Sequence, residues 1–572
     1  MKSPSAPKFW DAGFFCFRMC VPCPMVLILI PPLMSRILPW LLSVLSGVLL
    51  GLCFPPWGWG DLCWVALVPM IWAIWFSAPS ERSDWRRVAG LGYVCGLVFF
   101  AISSSWLTTL TWPGTLLLVL YFAIYIAVWV VIVGTLKPPA GGGDAWLRSL
   151  HNLRVCILGA AAWVAMEWLR GIIFPAFGWN GLGIAQHKNI PLIQIADITG
   201  VGGISFLVAM TNLMLAATIK RLAMEIGRGA RRPHYDFAIT LALVALAWIY
   251  GLRTIIQPAP ESTEMSFAAI QANISQENRN NPALEFDVLE IYKNQTLSAI
   301  AMQPDLILWP ESSTPNPLLG HQMTWDMVRG LAQQHKGDLL LGTVHWGENG
   351  DFNSIALLTD QGKEAQLYHK IHLVPFGEYV PLREEFPLIS KIVGDLVPSD
   401  FDPGTEYKIL NMQAKPVKLG PLVCFEDTLG DLARHFALMG AQIFVVVTND
   451  GWFLKSAGSS QHLQNAVFRC AETKIPMLRA ANTGVTCAID RHGFVRETLR
   501  DDDGSTFMQG VLFGKIPVPT HPQPTFYARY GEVFSILCVS LSIIWTTFTF
   551  IIRFKSKKSA CSNPSEREPF DP

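Results

Sequence analysis

Long apolar stretches occupy two parts of the chain and leave a segment of ordinary polarity between them. A helix needs about 20 apolar residues to cross a bilayer. Stretches near that length lie at about 37–54, 62–78, 88–105, 115–136, 154–173, 198–219, 236–255 and 532–552. The pattern therefore predicts a membrane body of eight transmembrane helices, with one large insertion before the last of them.

The insertion, residues 256–530, has short runs of Val, Ile and Leu that alternate with amphipathic segments. The predicted strands are Ser266–Ile274, Asp305–Trp309, Asp338–Thr343, the β-rich stretch Ser354–Leu367, Val417–Val423, Ile443–Thr448, a strand around Met477, and Thr486–Ile489. The predicted helices are Leu284–Ala301, Met323–His335, Leu432–Met439 and His462–Thr473. Wholly apolar strands are typical of sheets buried on both faces. We therefore expect an α/β domain with ligands at the carboxyl ends of its strands.

The predicted organisation has five regions. They are an N-terminal extension (1–35), transmembrane helices one to seven (36–255), the α/β domain (256–530), transmembrane helix eight (531–553) and a tail (554–572). The apolar run in the extension lacks a clean cleavage site, so no signal peptide is predicted.

Composition supports a membrane protein. Hydrophobic residues make up 51% of the 572 residues and charged residues 15%, whereas a soluble protein carries about 25% charged residues. The formal net charge is zero, which gives no reason to expect nucleic acid or an acidic partner. Only Cys424, Cys470 and Cys487 lie in the α/β domain, and no cysteine pair has metal-finger spacing. Neither a metal site nor a cofactor is predicted.

Lysine and arginine cluster in alternate loops. The loops after the second, fourth and sixth apolar stretches and the tail are basic, whereas Pro55–Asp61 and Trp106–Gly114 contain neither residue. Basic loops stay in the cytoplasm, so both termini are expected there and the α/β domain is expected on the outer face. The basic residues are Arg82, Arg86, Arg87, Lys137, Arg148, Arg154, Lys220, Arg221, Arg228, Arg231, Arg232, Arg553, Lys555, Lys557 and Lys558.

The non-basic loops are rich in tryptophan, proline and glycine, as in Pro55–Trp59 and Phe174–Asn180. Tryptophan is common at the membrane–water boundary, and its concentration beneath the α/β domain also suits a floor for lipid chains. Glu167 and Arg170 lie three residues apart near the end of the fifth stretch. Charges inside a membrane are functional candidates, and a pair that reaches to the boundary is an equal alternative.

Three predicted strand ends carry polar residues with catalytic potential. Glu311 follows a strand, Lys370 shares a proline-rich loop with Glu378, and Cys424 ends another strand ahead of Glu426. A lone cysteine in such a place is more often a buried core residue. Together, the three would make an acyl-transfer site, in which the thiolate attacks, Glu311 moves the proton and Lys370 stabilises the anions.

A Cys–His pair is the alternative catalytic arrangement. His369 and His372 flank Lys370, but nothing in the sequence connects either of them with Cys424. Asp427 is expected to be an ordinary residue of a helix N-terminus.

Four motifs in order resemble those of the nitrilase, or carbon–nitrogen hydrolase, superfamily. They are Trp309–Ser312, the Lys370 loop that ends in Pro375–Glu378, Val423–Glu426 and Thr448–Phe453. Their placement on an eight-span membrane body is similar to that in the apolipoprotein N-acyltransferases, a family of bacterial enzymes that add the third acyl chain to lipoproteins.

This resemblance extends over Leu38–Phe554 and implies an αββα sandwich on the periplasmic face of a bacterial inner membrane. The residues that it implies are the catalytic Glu311, Lys370 and Cys424 and the supporting or substrate-binding Glu378, Glu426, Asn449 and Trp452.

The reaction implied by the resemblance has two steps. Cys424 takes an acyl chain from the sn-1 ester of a phospholipid, such as phosphatidylethanolamine, and the α-amine of a diacylglyceryl-cysteine apolipoprotein then accepts it. A membrane-bound amidase or nitrilase-type hydrolase, with water as the acceptor, is the alternative. A non-catalytic scaffold is disfavoured because Glu311, Lys370 and Cys424 are all present.

The sequence departs from the family pattern at two places. Glu277–Pro282 lacks a tryptophan that family members carry in this loop, and Trp325 or Trp346 could take its place. Phe425 stands where relatives have tyrosine, a loss of one hydroxyl that the site should tolerate.

Overall fold

The computed structural model describes residues 32–76, 85–136, 138, 144–228, 233–279, 281–348, 350–359, 362–381 and 400–561. The predicted N-terminal extension up to residue 31, the tail beyond residue 561 and several basic loop residues lie outside these ranges. The loop residues are Arg82, Lys137, Arg231 and Arg232, and Asn280 in the loop without tryptophan is also outside.

Sixteen α-helices lie within the described residues. They are α1 Pro32–Leu52, α2 Val68–Phe76, α3 Trp85–Ser103, α4 Trp112–Thr135, α5 Ala145–Ile172, α6 Ile190–Ile193, α7 Ala196–Thr199, α8 Val201–Arg228, α9 Tyr235–Ile256, α10 Gln276–Arg279, α11 Glu285–Ile300, α12 Gln322–Gln334, α13 Gly430–Leu438, α14 Gly458–Thr473, α15 Phe526–Tyr530 and α16 Val533–Cys561. Helices α1 to α9 and α16 form the membrane body, and α10 to α15 belong to the α/β domain.

Six helical segments in the described part of the chain are long and apolar enough to cross a membrane. They are Trp85–Ser103, Trp112–Thr135, Ala145–Ile172, Ala196–Glu225, Tyr235–Ile256 and Val533–Ile552. They coincide with six of the eight predicted spans. The first two predicted spans correspond to the shorter apolar helices Arg36–Leu52 and Gly60–Phe76.

Small residues let the membrane helices α3 and α4 approach closely. A Cβ atom at Gly92 would lie 2.8 Å from the Cα atom of Ala127, and one at Gly96 would lie 2.7 Å from the Cα atom of Ala123. Both distances are far below van der Waals contact, so each position requires glycine. Packing of small residues is the usual way in which helices associate where no water drives them together.

The α/β domain contains two mixed six-stranded sheets. The strands are β1 Ser262–Gln271, β2 Leu306–Leu308, β3 Asp338–Gly347, β4 Gly350–Thr359, β5 Glu364–His369, β6 Leu410–Asn411, β7 Lys418–Val423, β8 Ile443–Thr448, β9 Met477–Ala481, β10 Cys487–Ile489, β11 Val495–Thr498 and β12 Gly510–Pro519. The strand orders are β12-β1-β2-β3-β4-β5 and β11-β10-β9-β8-β7-β6. The central strands β1-β2-β3 and β7-β8-β9 run parallel, and the outer pairs are antiparallel.

Alternation along β1 sets the order of the layers. Met265, Phe267 and Ala269 belong to the core shared with the second sheet, whereas Ala268 and Ile270 belong to the core beneath α11 and α12. Helix α13 packs on β7 and against α14 at the far side of the second sheet. The result is an αββα sandwich, as the resemblance implies.

Most predicted elements of this domain are present with ends shifted by a few residues, and Ile443–Thr448 has the predicted bounds. Strands β6, β11 and β12 were not predicted. Strand β12 is the edge partner of β1, and its residues alternate between exposed and buried, with Lys515 and Pro517 among them. Since the prediction relied on continuous apolar runs, a half-exposed edge strand gave no signal.

Hydrogen bonds fix the α/β domain on the membrane body. Gln461 of α14 donates to the backbone oxygens of Pro55 and Ser103, at 3.0 and 2.9 Å. Its side-chain oxygen accepts from Trp106 Nε1 at 2.9 Å. Gln461 is 1% exposed, so this junction excludes water and holds α14 at a fixed height above the membrane helices.

Candidate active site

Glu311, Lys370 and Cys424 meet between the two sheets. Glu311 follows β2 and Lys370 follows β5, both in the first sheet, whereas Cys424 follows β7 in the second. Lys370 Nζ lies 3.9 Å from Glu311 Oε1 and 2.7 Å from Glu378 Oε2. Cys424 interacts electrostatically with Glu311 and Lys370. The strand ends are therefore brought together by sheet stacking, although β2 and β5 are not neighbours in their sheet.

Cys424 has a backbone conformation that singles it out. Its φ angle is +53°, in the left-handed region that a residue with a side chain rarely adopts. The residue opens the 3₁₀ turn Cys424–Thr428 directly after β7. The residue as a whole is half-buried, and the sharp turn presents it at the end of β7.

Glu426 holds this turn against the Lys370 loop. One carboxylate oxygen accepts from the backbone nitrogens of Ile371 and His372 at 2.8 and 3.1 Å, and the other accepts from Val423 N at 2.8 Å. Tyr368 donates its hydroxyl to the same carboxylate. Burial raises the pKa of Glu426 to about 7, against the opposing effect of Lys370 and the backbone donors. The side chain thus connects the two loops that carry the cysteine and the lysine.

Asn353, which the sequence analysis did not identify, links the two carboxylates beside Lys370. Its Nδ2 donates to Glu311 Oε1 at 2.8 Å and to Glu378 Oε1 at 2.7 Å. Glu378 also accepts from Val374 N at 2.8 Å. Asn353 lies on β4 and is 3% exposed. A buried amide within an apolar strand was the available signal, because such a group needs a polar partner.

Burial and charge set the resting protonation of the site. Burial alone would lower the pKa of Lys370, but the carboxylates of Glu378 and Glu311 outweigh it and raise that pKa, so the ammonium persists. Burial and then Glu311 raise the pKa of Cys424 well above that of a free thiol, and Lys370 only partly opposes them. Burial raises the pKa of Glu311. The cysteine therefore rests as a thiol beside a carboxyl group suited to proton exchange.

Neither histidine of the alternative Cys–His pair contacts Cys424 in the described structure. His369 Nδ1 lies 2.8 Å from Ser354 Oγ, and its ring stacks on Phe352 with centroids 4.5 Å apart. His372 donates its backbone nitrogen to Glu426. The geometry favours the Glu–Lys–Cys arrangement.

A different histidine, His462 of α14, lies behind Cys424. Its Nε2 is 3.3 Å from the backbone oxygen of Cys424 and 2.7 Å from Asp427 Oδ1, and its Nδ1 is 2.9 Å from Asp450 Oδ1. Arg479 joins the same buried cluster, with Nε 3.2 Å from Asp427 Oδ2. The prediction of Asp427 as an ordinary helix-terminal residue was therefore wrong, because it is a fully buried member of an ionic network.

The charge of His462 makes stability depend on pH. Burial alone would lower the pKa of His462, but Asp427, aided by Asp450 and opposed by Arg479, raises it to about 9. A folded-state pKa above the unfolded value of about 6.5 stabilises the fold at low pH, and this contribution is lost as pH rises towards 9. Between pH 7 and 9 we expect the free energy of unfolding to fall by about 2 kcal/mol from this group.

Thermal unfolding in detergent at pH 7 and at pH 9, with His462→Gln as the comparison, checks this dependence. Glu426 and Glu472, whose pKa values are raised to about 7, are half ionised at the lower end of this window and together contribute less than about 1 kcal/mol to the change. The His462→Gln variant should lose most of the pH dependence. An unchanged pH dependence in that variant would refute the assignment.

Asn449 and Trp452 occupy the loop after β8. Asn449 caps the following turn by accepting from Gly451 N at 3.1 Å, and it also bonds to Asn482 and Gln276. Trp452 is 38% exposed. Among the described contacts, neither residue has a hydrogen bond or ring contact with Glu311, Lys370 or Cys424.

An aromatic floor, formed by Trp106, Phe177, Trp179 and Phe453, lies between the membrane helices and His462. Trp179 stacks on His462 with centroids 5.4 Å apart, and Trp106 lies 5.3 Å from Trp179 and 4.7 Å from Phe453. Phe177 stacks on Trp179. The rings therefore continue from the membrane body to the residue that contacts the backbone of Cys424.

Glu167 and Arg170 hold the loop that supplies two rings of this floor. Arg170 donates to the backbone oxygens of Phe177 and Trp179, at 3.1 and 2.6 Å, and is 3% exposed. Glu167 accepts from Leu182 N at 2.7 Å. The contacts of both side chains thus hold the Phe177–Leu182 loop in place.

The two tryptophans considered as replacements lie in different environments. Trp325 packs against the core beneath α11 and α12, and Trp346 is 62% exposed. Arg279, in the loop that lacks the family's tryptophan, interacts electrostatically with Glu311; burial lowers its pKa and Glu311 opposes that effect. Arg279 is therefore a residue of this loop that acts on a candidate catalytic group.

Two family models match separate parts of the chain. Residues 46–214 match the apolipoprotein N-acyltransferase N-terminal domain, and residues 255–511 match the carbon-nitrogen hydrolase model. A solved CN-hydrolase superfamily protein from Xanthomonas campestris is 17% identical over 44% of this chain and 91% of its own, with a TM-score of 0.34. The two family-model matches show that the chain combines a carbon–nitrogen hydrolase domain with a membrane body.

Proteins that are similar over nearly the whole chain identify its family. The apolipoprotein N-acyltransferase of Geobacter metallireducens is 34% identical over 89% of this chain and 95% of its own length. That of Methylococcus capsulatus is 31% identical over 86% of this chain and 92% of its own. The chain belongs to the apolipoprotein N-acyltransferase family.

Proposed function

We propose that this protein transfers an acyl chain from the sn-1 position of a phospholipid to the α-amino group of the N-terminal diacylglyceryl-cysteine of an apolipoprotein. The observation that carries the proposal is the series of contacts that leads from Cys424 through His462 to an aromatic floor that continues into the membrane helices. Both substrates are anchored in a membrane, and a site above such a floor is accessible to them.

In the first step, Glu311 takes the proton of the Cys424 thiol while the sulfur attacks the ester carbonyl carbon. The ester C–O bond breaks, and the departing lysophospholipid oxygen receives the proton from Glu311. Lys370, held by Glu378 at 2.7 Å, stabilises the negative charge on the tetrahedral intermediate. A thioester on Cys424 remains.

In the second step, the free α-amine of the apolipoprotein attacks the thioester carbon. Glu311 accepts a proton from the nitrogen, the C–S bond breaks, and the proton returns to the sulfur. Glu426 and Glu378 hold the loops of Cys424 and Lys370 in position through both steps. Asn449 and Trp452 shape the adjoining loop.

We further propose eight membrane spans, in a bacterial inner membrane, with both termini in the cytoplasm and the α/β domain, residues 256–530, in the periplasm. The shorter apolar helices, Arg36–Leu52 and Gly60–Phe76, supply the first two spans. The basic loops and the absence of Lys and Arg from Pro55–Asp61 support this orientation.

An assay with defined substrates tests the function. Purified protein is incubated with a synthetic diacylated lipopeptide and one phospholipid of known acyl chains, and the lipopeptide and free fatty acid are both measured by mass spectrometry. The lipopeptide should gain one acyl chain, and lysophospholipid should appear in equal amount. Free fatty acid with an unmodified lipopeptide would instead establish a hydrolase.

A further inference from the structure

A polar cavity of about 290 Å³ lies where the carboxyl end of α9 meets the α/β domain. Helices α7 and α9 contribute one wall, and the end of α14 and the turn between β10 and β11 contribute the other. The lining residues are Asp197, Tyr250, Arg253, Thr254, Gln257, Lys474, Arg491 and His492.

The cavity is separate from the candidate active site. Helix α14 connects the cavity with the active site. Its residue His462 lies behind Cys424, and its last turn leads to Lys474, which lines the cavity. Twelve residues of helix at about 1.5 Å per residue separate these two positions by about 18 Å.

Positive charge in this cavity exceeds negative charge. The carboxylate of Asp197 is already engaged, by Lys474 Nζ at 3.2 Å and by the hydroxyl of Tyr250 at 2.9 Å. Among the described residues, the side chain of Arg253 has no hydrogen bond or ion pair, and the side chain of Arg491 donates only its Nε, to His492 at 3.1 Å. Arg253 and Arg491 therefore line a cavity that can hold a small anion. Neither guanidinium forms an ion pair with a described carboxylate, although Asp490 is close enough to favour the charge of Arg491.

The pKa values agree with positive charge that Asp197 and Asp490 compensate only in part. Burial and then Arg491 and Lys474 lower the pKa of His492 to about 4, so its ring is neutral. Burial lowers the pKa of Lys474, opposed by Asp197, and Arg491 lowers it further. Arg491 thus disfavours the charged forms of Lys474 and His492, Asp490 compensates only in part, and a bound anion would relieve the remaining repulsion.

The surface beside the cavity is apolar. Leu252 and Ile256 of α9, the residues next to Arg253 and Gln257, are 43% and 77% exposed, and Ile249 one turn earlier is 60% exposed. Helix α9 is a candidate membrane span, and only 17% of its apolar stretch is buried inside the protein. Apolar side chains that face outward on such a helix contact lipid chains.

We propose that this cavity binds the phosphate of an anionic glycerophospholipid, with Arg253 and Arg491 as its principal ligands and the acyl chains along Ile249, Leu252 and Ile256. The phosphate would connect α9 of the membrane body with the β10–β11 turn of the α/β domain. This proposal depends on the placement of α9 in the membrane and is independent of the chemistry at Cys424.

Native mass spectrometry of protein released from nanodiscs tests the lipid site. The nanodiscs contain phosphatidylglycerol in an excess of phosphatidylcholine, and all proteins carry Cys424→Ala, so that no acyl chain is transferred during the measurement. The parent protein should retain one phosphatidylglycerol. Its affinity should fall about fivefold for each of Arg253→Gln and Arg491→Gln, since one basic residue near a membrane surface contributes about that much.

Lys515→Gln is the matched control, because Lys515 is an exposed cation of the same domain that pairs with Glu264 on β1. It should retain phosphatidylglycerol like the parent. Equal retention by the double arginine variant would overturn the proposal, as would displacement of the lipid by inorganic phosphate alone at millimolar concentration. Lipid retention is measured without any catalytic turnover. A failure of the lipid-site proposal is therefore distinguishable from a failure of the proposed transferase function.

Discussion

Replacement of Cys424 by alanine is expected to lower acyl transfer on the order of 10⁴-fold or more, because the proposed nucleophile is lost while the loops around it remain. Incubation with phospholipid alone should add the mass of one acyl chain to the parent protein and none to Cys424→Ala. Intact-protein mass spectrometry measures the adduct, and the lipopeptide assay measures the rate.

Cys470→Ala provides the control for this experiment. Cys470 belongs to the same domain and is fully buried on α14, away from Glu311 and Lys370. The control should keep the acyl adduct and most of the activity. An adduct in Cys424→Ala that is absent from Cys470→Ala would show that the wrong cysteine was assigned, and normal transfer by Cys424→Ala would refute the thioester mechanism.

The sequence was informative wherever a single local pattern determined the structure. Continuous apolar runs located the central strands such as Ile443–Thr448, and runs of spanning length located six helices that can cross a membrane. The ends of β2, β5 and β7 carried the polar residues that the structure brings together. These features depend on neighbours in the chain and can therefore be predicted from them.

The sequence was uninformative where contacts join distant segments. Asn353 bridges two carboxylates that are 42 and 25 residues away in the chain, and its strand had only been predicted as β-rich. His462 contacts Asp427 and Cys424, although α13 and β8 separate it from both residues along the chain. Such buried polar clusters are defined by the packing of layers, which no local spacing encodes.

The packing of the α/β domain on the membrane body also depends on contacts between segments that are distant in the chain. Gln461 is 355 residues from Trp106, yet their hydrogen bond and the stacking of Trp179 on His462 fix the α/β domain above the membrane helices. The aromatic loops were expected to form a floor for lipid chains. The contacts with α14 place that floor against His462, which in turn contacts the backbone of Cys424, and this supports the proposal that the acyl donor enters from the membrane side.

Arg479→Met is expected to destabilise the protein by about 3–5 kcal/mol, because it removes one of the two cations, Arg479 and His462, that compensate the buried carboxylates of Asp427 and Asp450. Arg479 is fully buried, with Nε 3.2 Å from Asp427 and Nη2 3.3 Å from Asp450. It also donates to the backbone oxygen of Val485 at 2.7 Å. Denaturant unfolding in detergent, followed by tryptophan fluorescence, measures the change.

Arg496→Met is the matched control for this substitution, since its guanidinium pairs with Asp490 at 2.7 Å but is 62% exposed. An exposed pair contributes about 1 kcal/mol or less, so the control should unfold close to the parent. Equal losses of unfolding free energy in both variants would show that Arg479 does not stabilise the buried carboxylates of Asp427 and Asp450. If Arg479→Met alone is destabilised, its acyl transfer should fall as well, because His462 then loses the support that fixes the backbone of Cys424.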